Sequence, residues 1–227
     1  MTRWVCVWLL CLPTFAVAGP TLSFDNPTLD GGTLTYAGAG GPAIASDVLF
    51  QLVVGVGTPL HDGVPLFCSP GPCLLSFATG DNLAEGPPVY TFGGGGALAM
   101  IGGLNTAADG SGDQIAPAGT LLVHDGAFDT PAGVLTGGVQ SLLFVGRGGD
   151  LKDVTLTDFY GVTGLPLTFA NTELSLDLAT FDPSTGAFAA VVNDADFANT
   201  AVPEPMTLLL LGTGLAALGG SRRMSRR

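Results

Sequence analysis

Apolar and polar side chains alternate with a period of two along several stretches of the chain, most clearly in Glu173-Leu174-Ser175-Leu176-Asp177-Leu178. That period puts one set of side chains on a core and the other in water, as in a half-buried β-strand. Residues 21–24, 33–36, 153–157 and 187–192 repeat the pattern. Three runs, 48–56, 121–123 and 142–145, are apolar on both faces and suit central strands of two packed sheets. Shorter apolar segments at 74–77, 89–92 and 97–101 bring the expectation to about ten strands. Turn chemistry separates them: Asp30-Gly31-Gly32, Asp62-Gly63, the glycines 93–96, Asp109-Gly110-Ser111-Gly112, Asp125-Gly126 and Asp182-Pro183-Ser184-Thr185-Gly186. No window shows a 3.6-residue period. Residues 19–200 therefore read as an all-β domain, an antiparallel β-sandwich or jelly roll.

The ends follow a different pattern. Residues 1–18 carry Arg3, an apolar stretch at 4–12, Pro13 and the small-residue run Ala16-Val17-Ala18 before Gly19. This is the layout of a secretory signal peptide, with Ala16, Ala18 and Gly19 forming the cleavage site. At the other end, residues 201–227 fall into three parts: Val202-Pro203-Glu204-Pro205, an uncharged apolar stretch from Met206 to Gly220, and a terminus carrying Arg222, Arg223, Arg226 and Arg227. As a helix the apolar stretch would cover ~22 Å, a marginal transmembrane span against a hydrocarbon core of ~30 Å. The arginines behind it act as a membrane stop on the cytoplasmic side, which leaves the body outside, the orientation the N-terminal signal also dictates.

This three-part tail resembles the PEP-CTERM sorting signal of Gram-negative bacteria. The resemblance implies recognition by exosortase, an integral-membrane protease or transpeptidase, with processing near the prolines that flank Glu204. It also implies export through the inner membrane, a transient anchor with the body in the periplasm, then delivery to the outer surface or the medium. Association with exopolysaccharide, biofilm or other matrix components belongs to the same implication. The body more loosely resembles the Gly-rich β-sandwich ectodomains found ahead of such tails, through Gly32-Thr33-Leu34-Thr35-Tyr36, a Cys-bounded loop followed by Leu74-Leu75-Ser76-Phe77-Ala78-Thr79-Gly80, and the glycine-rich segment at 92–97.

Composition narrows the chemistry of the body. Of 7 basic residues, only Arg147 and Lys152 lie outside the two terminal segments, against all of the 19 carboxylates but Glu204. A chain so acidic has no face for phosphates, so nucleic acid is excluded as a partner. The 35 glycines and 16 prolines disfavour helices. Once Cys6 and Cys11 leave with the signal peptide, Cys68 and Cys73 remain, flanking Ser69-Pro70-Gly71-Pro72; in an exported protein this spacing predicts a disulfide rather than a redox or zinc pair.

Catalytic signals are sparse. His61 and His124 both occur as His-Asp-Gly, which suits a turn at a strand end better than a metal or base site. No Gly-x-Ser-x-Gly elbow is present. Calcium is the cation an acidic exported domain would take. Its candidates are Asp109, Ser111 and Asp113, spaced at alternate positions, and the pair Asp194 and Asp196. The leading expectation is a non-enzymatic exported surface or matrix protein without a cofactor. A calcium- or carbohydrate-binding module is the alternative, and a secreted hydrolase a weaker one.

Overall fold

The computed structural model describes residues 19–27, 30–84, 89–137 and 141–201, with side chains left aside at 130–142 and 170. Twelve strands and one short helix follow one another as β1 (Thr21–Asp25), β2 (Thr33–Tyr36), β3 (Pro42–Phe50), β4 (Leu52–Val56), β5 (Pro65–Cys68), β6 (Cys73–Ala84), β7 (Val89–Phe92), β8 (Gly95–Asn105), β9 (Gln114–Gly137), β10 (Ser141–Lys152), α1 (Val154–Tyr160), β11 (Leu167–Phe181) and β12 (Phe188–Ala201). All-β architecture is therefore as the alternating pattern implied. In β11, Leu174 and Leu176 face the core while Ser175 and Asp177 face out.

Every strand pair is antiparallel, and each strand has a partner on both edges. From β12 the ladder passes through β11, β10, β9, β8, β6, β3 and β2 back to β12; a second return runs from β8 through β5, β4 and β1. The two walls of the sandwich are thus joined at both sides, and no described strand offers an open edge for pairing with another chain. Long strands make this possible. One edge of β12 serves β2 over residues 188–191 and β1 over 196–200, while its other edge carries β11.

Phenylalanines fill the space between the walls. Phe77 on β6 stacks on Phe144 of β10 at 5.2 Å between ring centres, and Phe128, Phe169, Phe197, Phe24 and Phe50 continue the contact chain. A second cluster, Tyr36, Tyr90, Phe92 and Phe188, closes the end where β11 turns into β12. Each such ring removed from water contributes about 2 kcal/mol.

Three local expectations are corrected. Residues 153–157 alternate like a strand but begin α1: the Asp153 carboxylate accepts hydrogen bonds from the Thr155 amide and hydroxyl, which caps the helix. Leu156 and Tyr160, one turn apart, are buried, and Gly161 ends the helix in the left-handed conformation. The capped turn can bury Tyr160 where an extended strand could not. Asp125-Gly126 is no chain reversal but a bulge inside β9, with Asp125 at φ 50° and an extra residue opposite Leu98–Met100. The apolar run 48–56 is two strands, divided at Gln51.

Candidate functional site

The chain enters and leaves the domain at one pole. Thr21 and Thr200 pair across β1 and β12, with their hydroxyls 3.2 Å apart, and the Ala201 amide donates to the Pro20 carbonyl at 2.8 Å. Gly19, the residue expected to follow signal cleavage, packs so close to Ala201 that a Cβ there would fall 3.3 Å from the Ala201 carbonyl carbon and closer still to its oxygen. The folded body therefore runs to Ala201 with no spacer before Val202. Ala16, Ala18, Val202, Pro203, Glu204, Pro205, Arg222, Arg223, Arg226 and Arg227 lie outside the described residues.

Three segments cover this pole: the β4–β5 loop, α1, and the loop from Gly161 to Pro166. Tyr160 ties them to the sandwich, its hydroxyl lying 2.9 Å from the Val53 carbonyl and 2.8 Å from that of Val64. Burial pushes the Tyr160 phenol up to about 12, so its neutral, donating form persists throughout the physiological range. The Leu60 amide donates to the Tyr160 carbonyl, and His61 stacks on Phe159 with ring centres 4.0 Å apart and Nδ1 2.7 Å from the Phe159 carbonyl oxygen.

At the same pole, bordering one pocket with Val154 and Thr157 of α1, lies the feature that sequence reasoning missed. Asp150 and Lys152, two residues apart at the end of β10, both turn inward and form an ion pair with no exposed side-chain surface. Asn199 Nδ2 donates to Asp150 Oδ2 at 2.8 Å, and Lys152 Nζ lies 5.3 Å from the centre of the Phe197 ring. Burial lowers the Lys152 ammonium to about 8 against the pull of Asp150, and burial likewise raises the Asp150 carboxyl against Lys152 and Asn199. A signal for this existed. With β10 in period two, positions 150 and 152 share the inward face of Phe144 and Gly148. Residues around the pair, including Leu151, Val154, Thr157 and Leu165, border an open pocket of about 510 Å³ at this pole.

The other predicted residues are scattered. Cys68 and Cys73 form a disulfide, with Cys73 fully buried and its loop spanning β5 to β6. Replacing both by serine is expected to lower unfolding free energy on the order of 2 kcal/mol, modest because the closed loop is short; thermal unfolding with and without reductant checks this on the parent chain. Asp109 Oδ1 accepts from the amide and hydroxyl of Ser111, which holds its carboxyl below the ordinary range, while the Asp113 amide donates to Thr106. His124 pairs with Asp125 at 2.9 Å on β9, remote in sequence from the turn that carries His61. Asp196 lies between Asp25 and Glu173 across neighbouring strands; partial burial first, then Asp25, Asp194 and Glu173, raise its carboxyl. No group of three or more His, Cys, Asp or Glu side chains suited to a metal ion occurs among the described residues.

Residues 201–223 match the PEP-CTERM protein-sorting motif. No curated protein and no solved structure matches the chain. The motif implies an exported protein sorted by exosortase and transiently anchored in the membrane. Among the described residues no helix is long and apolar enough to cross a membrane, and the apolar stretch from Met206 to Gly220 falls outside them.

Proposed function

We propose that this is a structural or adhesive protein of the cell surface or extracellular matrix, delivered by removal of its C-terminal tail and retained through contact with exopolysaccharide or other matrix material. The observation that carries the reading is the sorting motif at residues 201–223, which begins on the last residue of a closed all-β body. Surface charge supports the matrix role. Lys152 is buried in its ion pair, so Arg147 is the single exposed Lys or Arg among the described residues. A surface this acidic stays soluble and meets anionic polysaccharide through bridging cations. Closed strand edges also suit a protein held at high local concentration outside the cell.

Intact-mass measurement of the protein from its native host tests the delivery step. The expected product begins at Gly19 and ends near Pro205, and replacing Pro203 and Glu204 together by alanine leaves the tail attached and the protein in the membrane fraction. A full-length parent chain in the medium would overturn the reading. Retention of the parent, but not of a charge-neutralised surface variant, in the polysaccharide fraction on sedimentation checks the matrix role.

A further inference from the structure

The pole from which the tail departs is also an exposed apolar surface. Val56 is register partner of Thr21, Leu60 is hydrogen-bonded to the end of α1, and Leu165 lies two residues before Leu167, the partner of Ala201. Leu151 and Val154 border the same pocket as Leu165. These five aliphatic side chains are between 42% and 56% exposed. No free lysine or arginine side chain accompanies them, since Lys152 is internally paired; the cation at this pole is the α-amino group that cleavage before Gly19 leaves beside Ala201. The carboxylates nearby are engaged locally: Asp62 accepts from the Gly57 amide at 2.6 Å, Asp153 caps α1, and Asp158 accepts from the Thr163 hydroxyl.

Chain length decides what can cover this surface. Between Ala201 and Met206, where the apolar stretch starts, stand four residues, Val202-Pro203-Glu204-Pro205. Fully extended, the five steps from Ala201 to Met206 reach at most ~17 Å. The headgroup layer takes up about 6 Å of that. An apolar stretch worth ~22 Å in a core of ~30 Å is short and draws its flanks further in. The pole therefore has almost no slack above the lipid.

We propose that, until the tail is removed, this pole rests directly on the bilayer, with Val56, Leu60, Leu151, Val154 and Leu165 dipping into the headgroup–acyl boundary of the leaflet that faces the body. The proposal rests on the sorting-tail reading. Contact is apolar rather than electrostatic, so zwitterionic phosphatidylcholine, with no net charge, suffices, and tethering supplies the effective concentration that these few side chains lack by themselves. Release of the tail then frees the body from the bilayer, because these few side chains do not hold it there without the tether.

The exported chain, Gly19 to Arg227, contains no tryptophan, since Trp4 and Trp8 precede it. Leu165→Trp thus gives a single reporter at the pole, and Phe181→Trp gives one at the far end of β11, beside Phe188. Each is reconstituted into phosphatidylcholine vesicles with brominated acyl chains, and vesicle sedimentation is read alongside fluorescence. The expected result is sedimentation of both, with emission of Leu165→Trp about halved by the bromines and that of Phe181→Trp unchanged. Val56→Trp, on the other side of Ala201, repeats the measurement should the first variant fold poorly. Sedimentation with no difference between poles overturns the seating while leaving the anchor intact. Failure to sediment overturns the anchor and the seating with it.

Discussion

Replacing Lys152 by methionine is expected to cost about 3–5 kcal/mol of unfolding free energy, among the largest single-residue effects in this domain. The loss is electrostatic in origin. Methionine keeps the apolar stem of the side chain out to Cε but has nothing in place of Nζ, so it leaves the Asp150 carboxylate buried with Asn199 as its remaining donor. Adding Asp150→Asn removes the stranded charge and keeps an acceptor for Asn199, so the double variant should recover to within about 2 kcal/mol of the parent. Denaturant midpoints at unchanged m-value provide the comparison. If the double variant is as unstable as the single, the cost is one of packing and the electrostatic account fails. A pH series adds a second check. The folded-state value of Lys152, about 8, lies below its ordinary 10.5, so the folded state carries a burden below pH 8 that lifts as pH rises through the interval up to 10.5. Over that interval the parent should gain stability relative to the double variant, which lacks the amine.

The same residues show why part of the molecule was readable in the sequence and part was not. Strands such as 173–178 are legible because one face meets the core and the other meets water, and that difference is written into each successive side chain. The sorting tail and the Cys68–Cys73 bond are legible because each depends on a short contiguous segment. Residues 153–157 mislead for the opposite reason: five alternating residues cannot distinguish a strand from the first turn of a helix. The decision falls to Asp153 as a cap and to Tyr160, whose hydroxyl finds the β4 and β5 carbonyls only after folding. The Asp150–Lys152 pair shares a face with Phe144, yet charged residues on a strand are ordinarily read as solvated. What meets them inside is β12, whose Asn199 holds Asp150 and whose Phe197 lies against Lys152, a tertiary arrangement that neither segment shows alone. The pairing of Pro20 with Ala201 likewise joins the two ends of the domain, and it could not be inferred from either alone.

Gly148 and Gly149 look interchangeable in the sequence, but alanine is expected to be costly at the first and nearly neutral at the second. Gly148 faces inward on β10, in register with Phe128 of β9 on one side and Phe169 of β11 on the other. Those two rings meet across it, with centres 5.2 Å apart and planes at 80°, a favourable edge-to-face contact between strands that are not neighbours. A Cβ at 148 would lie 2.9 Å from the Ala127 carbonyl carbon and inside the contact distance of the Phe169 ring, so the backbone of β9 or the ring must move. Gly148→Ala is therefore expected to cost about 3 kcal/mol, and Gly148→Val more, by overpacking. At Gly149 the same atom would meet nothing within 4 Å, and Gly149→Ala should fall within about 0.5 kcal/mol of the parent. Unfolding free energies, with near-ultraviolet circular dichroism to follow the aromatic rings, separate the two positions; equal stability of both alanine variants would show that the rings do not depend on the gap. The contrast bears on the composition as a whole. Glycine weakens an ordinary strand, yet at 148 its missing side chain is what lets one core aromatic reach the next across an intervening strand. Gly148 is thus part of the core geometry, which is how a chain this rich in glycine closes a sheet around a continuous row of phenylalanines.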